Sequence, residues 1–125
     1  MNLLDSSAWL EFFADGPLAG KFSAIASEPE SVLVPTVILY EVFKVVMRER
    51  GETEALQAVA ALRQGKVVDI NEETALLAAR ASLAHKLPMA DSLILATASL
   101  HDATIWTMDE HFKDLPQVRY FSSRS

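Results

Sequence analysis

No cysteine occurs in this chain of 125 residues, which removes disulfides, thiolate metal sites and cysteine nucleophiles together. Glycine is scarce. Its four copies are dispersed and form neither a phosphate-cradling loop nor a dinucleotide fingerprint. No serine stands in a G-x-S-x-G context, so the nucleophile elbow of α/β-hydrolases is missing as well. His85, His101 and His111 lie in separate segments without metal-ligand spacing, and surface or capping roles are expected of them. No uncharged apolar run approaches the ~18 residues of a membrane span. The start, "MNLLDSSAW", lacks a basic flank and meets Asp5 at once, so it does not read as a signal peptide. A soluble cytoplasmic protein with no membrane association is therefore expected.

Positive charge is also in short supply, with 11 Lys and Arg against 17 Asp and Glu and a formal net charge of −6. A protein that coats nucleic acid normally carries a basic stripe, and a charge of this sign argues against such a role. An enzyme that works on nucleic acid through a bound cation is not excluded, because the metal brings the positive charge to the reaction. What the chain has in plenty is apolar residues, 50% of the total, enough for one domain-sized core.

The apolar residues are arranged in alternating strand and helix patterns. "NLLD" reads as a first strand, and "SSAWLEFF" as a helix with Trp9, Phe12 and Phe13 facing the core, ended by Gly16-Pro17. A short helix follows over residues 18–26. "SVLVP" is a β-branched second strand, and a helix runs from residue 36 to about 50, where Gly51 stops it. "ETEALQAVAALRQG" is a helix with an apolar stripe through Leu56, Val59, Ala60 and Leu62. "KVVDI" is a strand, and "NEETALLAARASLAHKL" a helix capped by Asn71 with early acids and late cations. Pro88 opens a further helix, "TIWTMD" is a strand, "EHFKDL" a helical turn and "QVRYF" a last strand. This alternation calls for an α/β domain with a mainly parallel central sheet, spanning 1–121, with 122–125 as a loose C-terminal tail.

Four acids fall at positions that a solvated carboxylate would not choose. Asp5 and Asp109 end strands, and ligands of open parallel sheets gather beyond strand carboxyl ends. Glu41 and Asp91 lie on helix faces whose neighbours three and four residues away are mostly apolar. Each has a plain structural alternative. Asp5 suits a helix cap, Thr107 and Glu110 spell a capping box around Asp109, Asp91 suits the positive end of a helix, and Lys44 is placed to pair with Glu41. Taken together, four convergent carboxylates repel one another, by roughly 4 kcal/mol per pair about 4 Å apart at an effective dielectric near 20. A hard divalent cation such as Mg²⁺ or Mn²⁺ removes that cost and can activate water against a phosphodiester.

The order of these residues resembles the motifs of PIN-domain ribonucleases, in particular the VapC-type toxins of toxin–antitoxin pairs. "LLDSSAWLEFF", "VPTVILYEV", "LPMADSLILATA" and "IWTMDEHF" match the four motifs in order, from residue 2 to residue 121. The resemblance implies a PIN-like α/β/α sandwich and a Mg²⁺- or Mn²⁺-dependent endoribonuclease that cleaves RNA by metal-activated water attack. It implies that Asp5, Glu41, Asp91 and Asp109 form the acidic pocket. Asp5 and Asp91 would then be direct metal ligands, and Ser6 or Thr107 would hydrogen-bond a carboxylate. It further implies a homodimer and a cognate antitoxin that occludes the pocket. Met108 stands where the family often has a basic residue, which weakens any phosphate contact there, and Glu110 is a second candidate for the fourth acid. Two other readings compete. One is a catalytically inactive PIN fold that binds RNA or a partner. The other is a phospho-acceptor receiver domain, against which count Asp5 without an acidic neighbour, the third strand's Asp69 lying before Ile70, and no lysine directly after "IWTMD".

Overall fold

The computed structural model describes residues 1–123, so Arg124 and Ser125, the end of the expected tail, lie outside the described residues. Ser122 is partly buried and Ser123 exposed. Five short strands are present: β1 (Asn2–Leu4), β2 (Leu33–Pro35), β3 (Lys66–Val68), β4 (Thr104–Thr107) and β5 (Val118–Tyr120). β1 pairs with β4, β4 with β5 and β2 with β3, all in parallel. A parallel bridge between Asn2 and Val32 joins the two groups, giving the spatial order β3-β2-β1-β4-β5. Six helices accompany the strands: α1 (Ser6–Phe13), α2 (Ala19–Ala26), α3 (Thr36–Arg50), α4 (Glu52–Leu62), α5 (Glu72–His85) and α6 (Met89–Leu100). The whole is an α/β/α sandwich, as the alternating pattern requires.

Local chemistry accounts for the boundaries. Asp5 caps α1 by accepting the Ala8 N–H at 3.0 Å, and Asn71 caps α5 by accepting the Thr74 N–H at 2.9 Å. Gly51 supplies the left-handed φ of +91° that lets α3 turn straight into α4. Pro88 stands at the N-terminus of α6 in extended conformation, where its missing N–H costs nothing.

The core is built where the sheet meets the helices. Leu3, Leu33, Val34 and Ile105 of the strands pack with Phe22, Ile38, Val42, Ile94 and Phe112, all buried. Each such side chain contributes about 1.5–3 kcal/mol relative to exposure. One expected face is displaced. In α4 the buried residues are Ala55, Ala58 and Leu62, whereas Leu56 is 53% exposed. α3 and α4 pack along one another, and the alanines let the two helices approach closely.

The strand order fixes where a ligand can sit. From β1 the chain steps to β2 and β3 on one side, then crosses back to β4 and β5 on the other. The sheet therefore reverses its winding between β1 and β4, and the crevice of an open α/β sheet lies beyond the carboxyl ends of the strands at that point. Asp69, by contrast, is exposed beyond β3 at the edge of the sheet, two strands from β1. A receiver-domain acceptor would belong near the first strand, so that reading is excluded by the topology.

Candidate metal centre

The register Leu4↔Trp106 carries β1 and β4 to the same level, and the Asp5 N–H continues the ladder by donating to the Trp106 carbonyl at 3.2 Å. Asp5 and Thr107 thus emerge side by side at the rim. Asp5 is only 2% exposed, and both its carboxylate oxygens are engaged. Oδ1 accepts from Ser7 Oγ at 2.6 Å and from the Ala8 N–H, and Oδ2 accepts from Thr107 Oγ1 at 2.6 Å. Ser7 Oγ and Thr107 Oγ1 in turn accept the N–H groups of Met108 and Asp109, at 2.9 and 2.8 Å. Two hydroxyls therefore tie the start of α1 to the end of β4. Asp5 is a cap and a pocket acid at once.

Asp109 is the hub of the cluster. Its charge acts on Asp5, on Glu41 and on Asp91, so it is a neighbour to the other three, while among the described residues the donor atoms that lie within 4.8 Å of one another are those of Asp91, Asp109 and His111. Burial pushes the Asp5 carboxyl up to about 6, against the lowering effect of its hydrogen bonds from Ser7, Thr107 and Ala8. Asp91, in the first turn of α6, is raised by burial and then by the charge of Asp109, with His111 opposing. Glu41 is raised by burial as well, and further by Asp109, while the Ser6 hydroxyl lowers it. Every resolved shift has the same sign. The fold charges these groups only at a cost.

Three expectations need correcting. Lys44 does not pair with Glu41: its ammonium lies over the Tyr40 ring, 5.5 Å from the centroid. Thr107 and Glu110 do not make a capping box, because Thr107 takes the Asp109 N–H and the Asp109 carboxylate itself caps the turn by accepting from the His111 N–H at 2.9 Å. His111 is not merely a surface residue. Its Nδ1 reaches Asp91 Oδ2 at 2.9 Å and Asp109 Oδ1 at 3.1 Å. Of the two hydroxyls expected at a carboxylate, Thr107 serves Asp5 and Ser6 neighbours Glu41. Ser7, not singled out, is the other partner of Asp5. Met108 packs on the margin of the core, and Glu110 is exposed, so Asp109 is the residue that joins the other acids.

The donor set fits a hard divalent cation. Among the described residues no Lys or Arg forms an ion pair with any of the four acids. Glu41 Oε1 is buried with no hydrogen-bond partner, a state that costs roughly 1–3 kcal/mol and more if the group is charged. Carboxylate oxygens without a Lys or Arg partner suit Mg²⁺ and Mn²⁺, which select oxygen donors.

Residues 3–118 match the PIN domain family. The chain belongs to it. No curated protein sequence is significantly similar to this PIN domain. Solved structures share its fold across nearly full length. A toxin–antitoxin complex from Klebsiella pneumoniae superimposes with a TM-score of 0.80 at 22% identity, covering 98% of this chain and 99% of the other. VapC20 of Mycobacterium tuberculosis, described as a toxin that cleaves the sarcin–ricin loop, gives 0.74 at 20% identity over 95% and 99% of the chains. VapBC2 from Rickettsia felis, bound to a DNA fragment from its promoter, gives 0.72 at 16% identity over 97% of each.

The Thr107 hydroxyl is a sensitive point of this PIN domain. Thr107→Val keeps the shape but strips the hydroxyl from Asp5 Oδ2 and from the Asp109 N–H. It is expected to lower unfolding free energy by about 1–3 kcal/mol in urea denaturation. An unchanged midpoint would mean that the Thr107 hydroxyl does not hold the rim together.

Proposed function

We propose that this PIN domain is a VapC-type toxin, a Mg²⁺- or Mn²⁺-dependent endoribonuclease held in check by a cognate antitoxin. The observation that supports the reading is that Asp109, beyond β4, acts on Asp5, Glu41 and Asp91, and that none of these acids has a Lys or Arg ion pair among the described residues. A divalent cation in such a pocket supplies a water of lowered pKa and offsets charge building up on an attacked phosphodiester. In this reading Asp5 and Asp91 hold the ion directly, and Glu41 and Asp109 hold it through water or complete a second position. Ser7 and Thr107 fix the orientation of the Asp5 carboxylate by donating to its two oxygens. The acidic rim repels phosphate until the ion is bound, so binding of RNA depends on metal. The net charge of −6 agrees with this order of events.

The partners follow from the same reading. Similar structures are toxin–antitoxin complexes, and a cognate antitoxin covering the acidic rim is proposed here too. A homodimer is proposed from α5, where Leu76 and Leu83 stand seven residues apart on one face, 62% and 86% exposed. Leu76→Glu with Leu83→Glu is expected to convert the dimer to a monomer in sedimentation, and a wild type that sediments as a monomer removes this face from the account. The cytoplasm, which holds RNA, is the proposed location. Among the described residues no helix is long and apolar enough to cross a membrane.

The test is RNA cleavage by the purified protein in Mg²⁺ or Mn²⁺, compared with chelator. Cleavage only with metal supports the proposal. Cleavage that persists in chelator, or none with either ion across structured and messenger RNAs, refutes it.

A further inference from the structure

The acid pocket contains a nitrogen donor that the four-carboxylate scheme does not use. His111 belongs to the short helical turn Glu110–Phe112 directly after Asp109. Its main-chain N–H donates to Asp109 Oδ1 at 2.9 Å. Nδ1 ends 2.9 Å from Asp91 Oδ2 and 3.1 Å from Asp109 Oδ1. One donor atom from each of the three residues lies within 4.8 Å of the other two.

An octahedral ion with bonds of about 2.1 Å sets adjacent ligand atoms about 3.0 Å apart, the bond length multiplied by the square root of two. Both Nδ1–oxygen separations match such an edge. The same lengths are ordinary hydrogen bonds, so an ion shared by these atoms needs little movement of the imidazole. Its side chain is 57% exposed, whereas that of Asp91 is 12% exposed.

We propose that His111 Nδ1 is a direct ligand of a cation at the second position, the one that Asp109 completes beside Asp91, and that this nitrogen shifts that position's preference from Mg²⁺ toward Mn²⁺. Mg²⁺ favours oxygen donors, while imidazole suits transition ions, and Mn²⁺ accepts both in octahedral geometry. The proposal rests on the acid pocket being a metal centre, and its test separates the two ideas.

The full chain, stripped of metal and loaded with Mn²⁺, is examined by pulsed electron paramagnetic resonance beside His111→Ala and Asp91→Asn. Coordinated imidazole gives a ¹⁴N coupling, expected in the wild type and absent in His111→Ala. His85 and His101 are kept in that variant and serve as the internal control. Loss of an outer partner of a metal ligand already costs roughly 10–100-fold in affinity, so losing the ligand itself should weaken Mn²⁺ binding at least about tenfold. Mg²⁺ binding should weaken less, and His111→Asp, an all-oxygen set, should restore Mg²⁺ over Mn²⁺. Mn²⁺ bound to the wild type without ¹⁴N coupling overturns the inference while leaving the acid pocket intact. So does an alanine variant that binds Mn²⁺ equally or more tightly, because His111 is then only a counter-ion competing with the metal. If Mn²⁺ does not bind the wild type at all, the acid-pocket reading fails and this inference falls with it.

Discussion

Asp91→Asn is expected to lower metal-supported RNA cleavage by roughly a thousandfold and, at the same time, to make the metal-free protein more stable. The first effect follows from removing a carboxylate that the proposed mechanism uses as a direct ligand. A bound cation is worth several kcal/mol of transition-state stabilisation, and about 4 kcal/mol corresponds to a factor of a thousand in rate. The second effect follows from the environment of Asp91, which is buried beside Asp109 and disfavours the charged form despite His111. A neutral amide of the same shape relieves that penalty, so the melting midpoint in chelator should rise by roughly 2–6 °C for a domain of this size. The opposite signs are the point. A variant that merely misfolds loses activity and stability together. Melting curves in chelator alongside single-turnover cleavage measure both, and full activity in Asp91→Asn would remove this residue from the site.

The second large effect is a dependence of metal-free stability on pH that runs against the usual direction for acids. An aspartate in the unfolded chain releases its proton near 3.8, whereas Asp5 in the fold holds it to about 6. Between those values the folded state binds a proton that the unfolded state has lost, so stability falls as pH rises. The contribution is fully present below about pH 3.8, is lost progressively up to about pH 6, and is absent above it. The shift of Asp5 corresponds to about 3 kcal/mol at most, of which about 1.4 kcal/mol is lost between pH 5 and pH 7.5. Asp91 and Glu41 are shifted in the same direction and add to it. Urea denaturation in chelator should therefore show a more stable protein at pH 5 than at pH 7.5. Excess Mg²⁺ should cancel or reverse the difference, because the ion binds the deprotonated carboxylates. Equal stability at both pH values in chelator would mean that the acids are not held under electrostatic strain.

Much of this architecture could be read from the chain. Strands and helices alternate where the apolar periods and turn residues put them, and Asp5 and Asp109 stand beyond the ends of adjacent strands, as a parallel sheet requires. Glu41 was conspicuous because an acid on an apolar helix face demands an explanation, and its buried Oε1 has no hydrogen-bond partner. The readings that failed share a cause: each turned on a choice among equally permitted local partners. Lys44 was as free to turn to Tyr40 as to Glu41, and the ring took it. Ser6 and Ser7 are adjacent hydroxyls at one helix start, and only the direction of α1 relative to β4 assigns Ser7 to Asp5 and leaves Ser6 beside Glu41. His111 meets Asp91 across twenty residues of sequence, through the packing of two elements, and no spacing rule for metal ligands encodes that contact. In α4 the hydrophobicity of Leu56 suggested burial, but close helix packing selected Ala55 and Ala58.

The most direct test of the account is the melting midpoint of the wild type, Glu41→Gln and Asp91→Asn in chelator and then in millimolar Mg²⁺ or Mn²⁺ at pH 7.5. A ligand that binds only the folded state stabilises by about 2.7 kcal/mol at a hundred times its dissociation constant. The wild type should gain several degrees with metal, and both variants should gain clearly less. Identical midpoints with and without metal in all three proteins, or an equal gain in all three, would contradict the claim that these four acids form a cation centre.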